Sequence, residues 1–175
     1  MQRGDEISPQ CRLNKNAARM NSMNRLFLLL TMLFIGHLAC AKSFDKILTM
    51  ETAPPGVVIE IVSGDGDLLR SLLPQVRINI EKLRDRFPEL PIAIVSHGTE
   101  QFMMMSKQAE QEQGTHRLVE SLTMSDDVEF HVCGTHASWY DVMPEDFPDY
   151  VNVTPAGPTQ ISNYQALDYE LIVLP

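Results

Sequence analysis

The chain has 175 residues, 44% of them hydrophobic, with 23 Asp and Glu against 14 Lys and Arg and a net charge of −9. This size suits one domain around one core, and the acidity argues against nucleic acid or an anionic membrane as partner, because phosphate binding rests on Lys and Arg. The charge is uneven: from Lys42 onward nine Lys and Arg stand against 21 Asp and Glu, which leaves −12, whereas the preceding stretch is basic.

Residues 1–41 read as a leader. Asn24-Arg25 precedes an apolar run at 26–35 (LFLLLTMLFI), then Gly36-His37-Leu38-Ala39-Cys40-Ala41. A spanning helix needs about 20 apolar residues, and this shorter run has the length of a signal-peptide core. Ala39-Cys40-Ala41 fits the small-x-small cleavage pattern, with a cut after Ala41. Met20 or Met23 is an alternative start, and Cys40 an alternative lipoprotein cysteine, disfavoured by His37 where a lipobox prefers Leu. Uncleaved, the segment would be a short anchor. The expectation is a periplasmic or secreted protein, in which Cys133 is the only thiol left of Cys11, Cys40 and Cys133.

Residues 42–55 are expected to be a linker, closed by Pro54-Pro55. Val57 to Val62 is a nearly continuous β-branched run, the pattern of a strand buried on both faces. Ser63-Gly64-Asp65-Gly66-Asp67 breaks it, as a turn with a helix N-cap at Asp67; it lacks the glycine spacing and lysine of a phosphate loop. Leu69, Leu72, Leu73, Val76, Ile80, Leu83 and Phe87 then recur at helical spacing, with Pro74 marking an early turn or kink. Ile92 to Val95 predicts a second strand ending in Ser96-His97-Gly98-Thr99, with Gln101–Gln108 as a short helix and Leu118, Val119 and Leu122 on another. Val128–Cys133 is a third strand, followed by a short helix after Gly134. Val151–Val153 predicts a fourth strand, Pro158–Leu167 a last helix and Leu171–Leu174 a fifth strand. Strands alternating with helices imply parallel pairing through right-handed crossovers. The expected class is a three-layer α/β/α sandwich with a five-stranded, mainly parallel sheet over residues 56–175.

In such sheets reactive groups gather at the carboxyl ends of the strands. That places Ser63-Gly64-Asp65, His97-Gly98-Thr99 and Cys133-Gly134-Thr135-His136 on one edge. Cys133 is either a small buried hydrophobe or a reactive thiol, and a helix beginning at Gly134 would favour the nucleophilic thiolate. His136 would orient or activate the thiol, or simply sit in solvent. His97 would line the same cleft, or belong to a turn capped by Thr99. His131, Cys133 and His136, with His97, also have metal-ligand chemistry, but a structural zinc wants four ligands. No motif points to a cofactor, and no Ser-His-Asp set or paired carboxylates suggest another chemistry. Met103-Met104-Met105 is expected to combine core packing with partial exposure, and Trp139 and Tyr140 to lie in the core or a subunit interface.

The ordered set of segments resembles the DsrE/DsrF-like family of sulfur-relay proteins, which includes the YchN-like proteins. The likeness rests on Val95-Ser96-His97-Gly98, on the strand Val128–Cys133 ending in cysteine before a short helix, on Val153-Thr154-Pro155-Ala156-Gly157, and on the terminal strand from Tyr169 to Pro175. It spans about residues 56–175. The resemblance implies that Cys133 carries sulfane sulfur as a persulfide, with sulfur donors and acceptors as partners, in a homo-oligomer, trimeric or hexameric. It implies a carrier step more than a turnover enzyme. Two features depart from the family: the familiar members are cytoplasmic, and the usual Gly before the terminal Tyr is Asp168 here.

Overall fold

Side-chain alternation along the strands builds the molecule. The computed structural model describes residues 42–175; the predicted leader lies outside the described residues. Five strands, β1 (Val57–Ile61), β2 (Ile92–Ser96), β3 (Val128–Cys133), β4 (Asn152–Thr154) and β5 (Glu170–Leu174), form one sheet in the order β4-β3-β2-β1-β5. Every neighbouring pair is parallel. Val57, Ile59, Ile61, Ile92, Ile94, Val128, Phe130, Val132 and Ile172 point to one face, into the larger apolar cluster. Val58, Ala93 and Val95 point to the other, where Ile161 and Tyr164 complete a smaller one. Each fully buried aliphatic or aromatic side chain contributes about 1.5–3 kcal/mol.

The larger face is covered by α1 (Phe44–Leu48), α2 (Leu68–Arg86) and α3 (Gln113–Met124); α4 (Gly134–Ser138) follows β3 directly. The chain steps from β1 to β2 to β3 in one direction, then returns from β4 to β5 across the whole sheet. With one crossover handedness, the return places α5 (Gly157–Gln165) on the opposite face, against Val58, Ala93 and Val95. The result is the three-layer sandwich expected from the sequence.

Several local expectations change. Residues 42–55, read as a linker, belong to the domain: α1 buries Ile47 completely, Lys42 N–H donates to the Leu171 carbonyl, and the Lys42 ammonium pairs with Glu170 at 2.7 Å. The isolated Ile47 gave too little periodicity to announce a docked helix. Pro74 lies inside α2, not in its first turn. Asp67 holds the N-cap position, but its carboxylate pairs with Arg70 at 3.2 Å, and Asp65 accepts the turn bond from Asp67 N–H. Gln101–Gln108 is not one helix but two 3-10 turns, Thr99–Met104 and Ser106–Gln108. Gly98, not Thr99, precedes the first of them. Trp139 and Tyr140 are not core residues: they are 73% and 59% exposed. Among the described residues no helix is long and apolar enough to cross a membrane.

The Asp168 departure has a local explanation. Tyr169 N–H returns to the Tyr164 carbonyl and Asp168 N–H to the Gln165 carbonyl, the paired closures of a Schellman turn. Asp168 takes its left-handed position at φ 61°, where glycine has no steric penalty. Asp168→Gly is therefore expected to stabilise the domain by about 0.5–1 kcal/mol, read as a raised urea midpoint; a lowered midpoint would contradict the assignment.

Candidate functional site

Parallel pairing brings the ends of β1, β2 and β3 to one edge. There Val62, Ser63, Gly64, His97, Gly98, Thr99, Cys133, Thr135, His136, Trp139, Ala156 and Pro158 line an open cavity of about 500 Å³. Cys133, His97 and His136, the residues singled out in the sequence, all line it. Cys133 is the only cysteine among the described residues, with 5% of its surface exposed. It ends β3 and stands at the N-cap of α4, where its Sγ accepts from His136 N–H at 3.4 Å. The first residue of α5 is glycine for a steric reason: a Cβ on Gly157 would lie 2.7 Å from the Cβ of His97 and 3.4 Å from that of Cys133.

Two adjacent residues to which the sequence reading gave no role at the site hold this edge together. Gln101 is completely buried and spans the backbone of Cys133. Its Oε1 accepts from Cys133 N–H at 2.7 Å, and its Nε2 donates to the Cys133 carbonyl at 3.4 Å. The β2–β3 ladder ends at Ser96 opposite Val132, so the Gln101 amide continues the ladder one residue further, as a strand backbone would. Glu100, also completely buried, ties β1 to β2. Its carboxylate accepts from Ser63 N–H at 2.8 Å, Ser96 Oγ at 2.8 Å and Gly98 N–H at 2.9 Å. Gly98 has no room for a Cβ, which would meet the Ser63 backbone and the Glu100 carboxylate.

The histidines divide among different partners. His97 Nε2 lies 2.8 Å from Glu60 Oε1 on the α5 side of the sheet, and both side chains are largely buried. His136 sits among the rings of Phe102, Trp139 and Tyr140, each centroid 5.4 Å away, and its Nδ1 is buried without a hydrogen-bond partner. His131 shares the face of Cys133, as strand alternation required, yet is committed elsewhere. Tyr164 donates its hydroxyl to Glu129 at 2.9 Å, so the His131 Nε2–H donates to the Tyr164 oxygen at 2.8 Å. Among the described residues no three His, Cys, Asp or Glu side chains converge as a metal site. Of the set His131, Cys133, His136 and His97, His131 is bound to Tyr164 and His97 to Glu60, while His97, Cys133 and His136 line the same cavity.

Burial holds the His131 imidazole below its ordinary value of 6.5, against the opposing pull of Glu129, and raises Tyr164, with help from the same carboxylate. The folded state therefore takes up a proton at His131 less readily than the unfolded chain. Stability is retained above about pH 6.5 and falls as the pH drops below it. His131→Gln removes this titration, so the gap in urea midpoint between parent and variant should narrow from about pH 7.5 to about pH 5. A constant gap would show that His131 titrates alike in both states.

An α/β sandwich with a thiol fixed at the carboxyl edge of a parallel sheet is the class of protein defined here. No protein-family model matches the sequence, and no curated protein does. Solved structures do share the fold. The protein of unknown function MTH1491 from Methanobacterium thermoautotrophicum aligns with a TM-score of 0.51 at 18% identity, over 67% of this chain and 97% of its own. The ychN protein from E. coli aligns with a TM-score of 0.50 at 12% identity, over 68% of this chain and 99% of its own. The chain thus has the YchN-like fold that the resemblance to the DsrE/DsrF-like proteins implied.

Proposed function

We propose that this domain is a sulfur carrier in which Cys133 accepts, holds and passes on sulfane sulfur as a persulfide. The observation that carries this reading is the Gln101 clamp: a cysteine at the cavity wall whose backbone N–H and carbonyl are both held by one buried amide. In the loading step the Cys133 thiolate attacks the outer sulfur of a hydropersulfide R–S–SH. A Cys133–sulfur bond forms, the donor S–S bond breaks, and its electron pair leaves with R–S⁻. An acceptor thiolate then attacks the outer sulfur and Cys133 leaves as thiolate, so neither step needs an external oxidant or reductant. Work outside the cytoplasm, after removal of the leader, and a homo-oligomeric assembly belong to the same proposal.

The test is peptide-resolved mass spectrometry after exposure to a sulfane-sulfur donor. The peptide bearing Cys133 is expected to gain one sulfur, reversibly by reductant, with no gain in Cys133→Ser. No gain at Cys133, or the same gain in the variant, overturns the reading. The low exposure of Cys133 favours a second one, an assembly module with an inert thiol. Alkylation separates the two: a carrier reacts while folded, a module only after unfolding.

A further inference from the structure

Resting on the carrier reading, we infer that the Cys133 cavity takes a sulfur donor with an apolar organic body, such as an aryl or alkyl hydropersulfide reacting in its protonated R–S–SH form, and disfavours donors whose body is anionic.

Most backbone donors at this edge that an anion would need are already used. No Lys or Arg lines the cavity. At this edge the N–H groups of Ser63 and Gly98 and the Ser96 hydroxyl all donate to the Glu100 carboxylate. That carboxylate fills, from within the chain, the nest of donors where a bound anion would sit. Thr99 N–H donates to the Ser63 carbonyl and Thr135 N–H to the Pro155 carbonyl. His97 is turned to Glu60, which would balance any positive charge on its ring. An anionic donor entering here would lose water and find no fixed cation, only uncharged donors such as the Trp139 indole N–H and the His136 ring, whose Nδ1 has no partner. The excess of acidic residues from Lys42 onward adds long-range repulsion.

The cavity offers apolar surface instead. Val62, Ala156 and Pro158 line it, and Trp139 forms one wall while remaining 73% exposed. That indole contributes little to the core, so its position beside the thiol suits stacking with an apolar group.

Trp139 is the one tryptophan of the whole chain, which gives a binding readout independent of sulfur transfer. Loading of Cys133 is measured with benzyl hydropersulfide, glutathione hydropersulfide and thiosulfate, each rate divided by its rate with a free cysteine peptide. In parallel, benzyl mercaptan and thiosulfate are titrated into Cys133→Ser while Trp139 emission is followed. The benzyl donor is expected to load about tenfold faster or more than either anion, and benzyl mercaptan alone to shift the emission saturably. Trp139→Ala, at an exposed position, should fold normally and lose most of the preference. Equal or faster loading from either anion overturns the inference and leaves the carrier reading standing. If no donor loads Cys133, the carrier reading fails and the emission decides the ligand class: a saturable shift with benzyl mercaptan supports it, and no shift overturns it.

Discussion

Replacing Glu100 by alanine is expected to destabilise the domain by about 3 kcal/mol or more. The reason is what remains behind: the backbone N–H groups of half-buried Ser63 and buried Gly98, and the hydroxyl of fully buried Ser96. Each buried donor left unpaired costs about 1–3 kcal/mol. Glu100→Gln is the sharper variant, because it keeps size and shape. Oε1 serves Ser96 and Gly98 while Oε2 serves Ser63, so an amide must turn its NH₂ toward at least one backbone N–H. The expected order of urea midpoints is parent, Glu100→Gln, Glu100→Ala. A loss below about 1 kcal/mol in the alanine variant would mean that the edge relaxes without its carboxylate.

The second large effect belongs to Gln101. Gln101→Leu keeps the volume and removes both partners of the Cys133 backbone, at an expected cost of about 2–4 kcal/mol. Gln101→Glu retains an acceptor for Cys133 N–H but sets an oxygen against the Cys133 carbonyl, so the amide is needed for the donor as well as the acceptor. Stability alone does not identify a positioning residue. The decisive readout is the alkylation rate of Cys133 in the folded state, which should change in both Gln101 variants. It should stay at the parent value in Leu83→Ala, a core substitution of similar or larger cost. Equal alkylation rates in the parent and in both Gln101 variants would reduce Gln101 to packing.

Strand composition made the architecture legible. The runs at Val57–Ile61 and Ile92–Ser96 are largely apolar on both faces because helices cover both, while Val128–Cys133 is apolar on one face and carries Glu129, His131 and Cys133 on the other. Parallel pairing then placed His97, Cys133 and His136 on one edge without further information. What stayed hidden was the support beneath them. Glu100 and Gln101 stand in Thr99-Glu100-Gln101-Phe102, a polar-looking start to a short helix, and such residues are mostly solvated. Their burial follows from the tight 3-10 turn after Gly98, which folds their side chains back under the strand ends. The same turn explains Met103, Met104 and Met105. On an α-helix three consecutive residues cannot share a face, but here the 3-10 turn gives way to extended backbone at Met105, and all three are buried. Glu60 escaped notice for a related reason: one carboxylate in a β-branched strand announces no partner, and His97 comes from a different strand end.

The place of β1 in the sheet also governs how the domain comes into being. Val57 to Ile61 pair on one side with β2 and on the other with Glu170 to Leu174, with almost the whole domain between the two partners. Closing so long a loop is slow, because its entropy must be lost before the contacts form. During synthesis β1 stays unmatched on that side until residues 170–174 have left the ribosome. The return helix α5, which packs beside Cys133 and His97, leads directly into β5. The wall that α5 contributes beside the thiol is therefore among the last parts of the described fold to be synthesised.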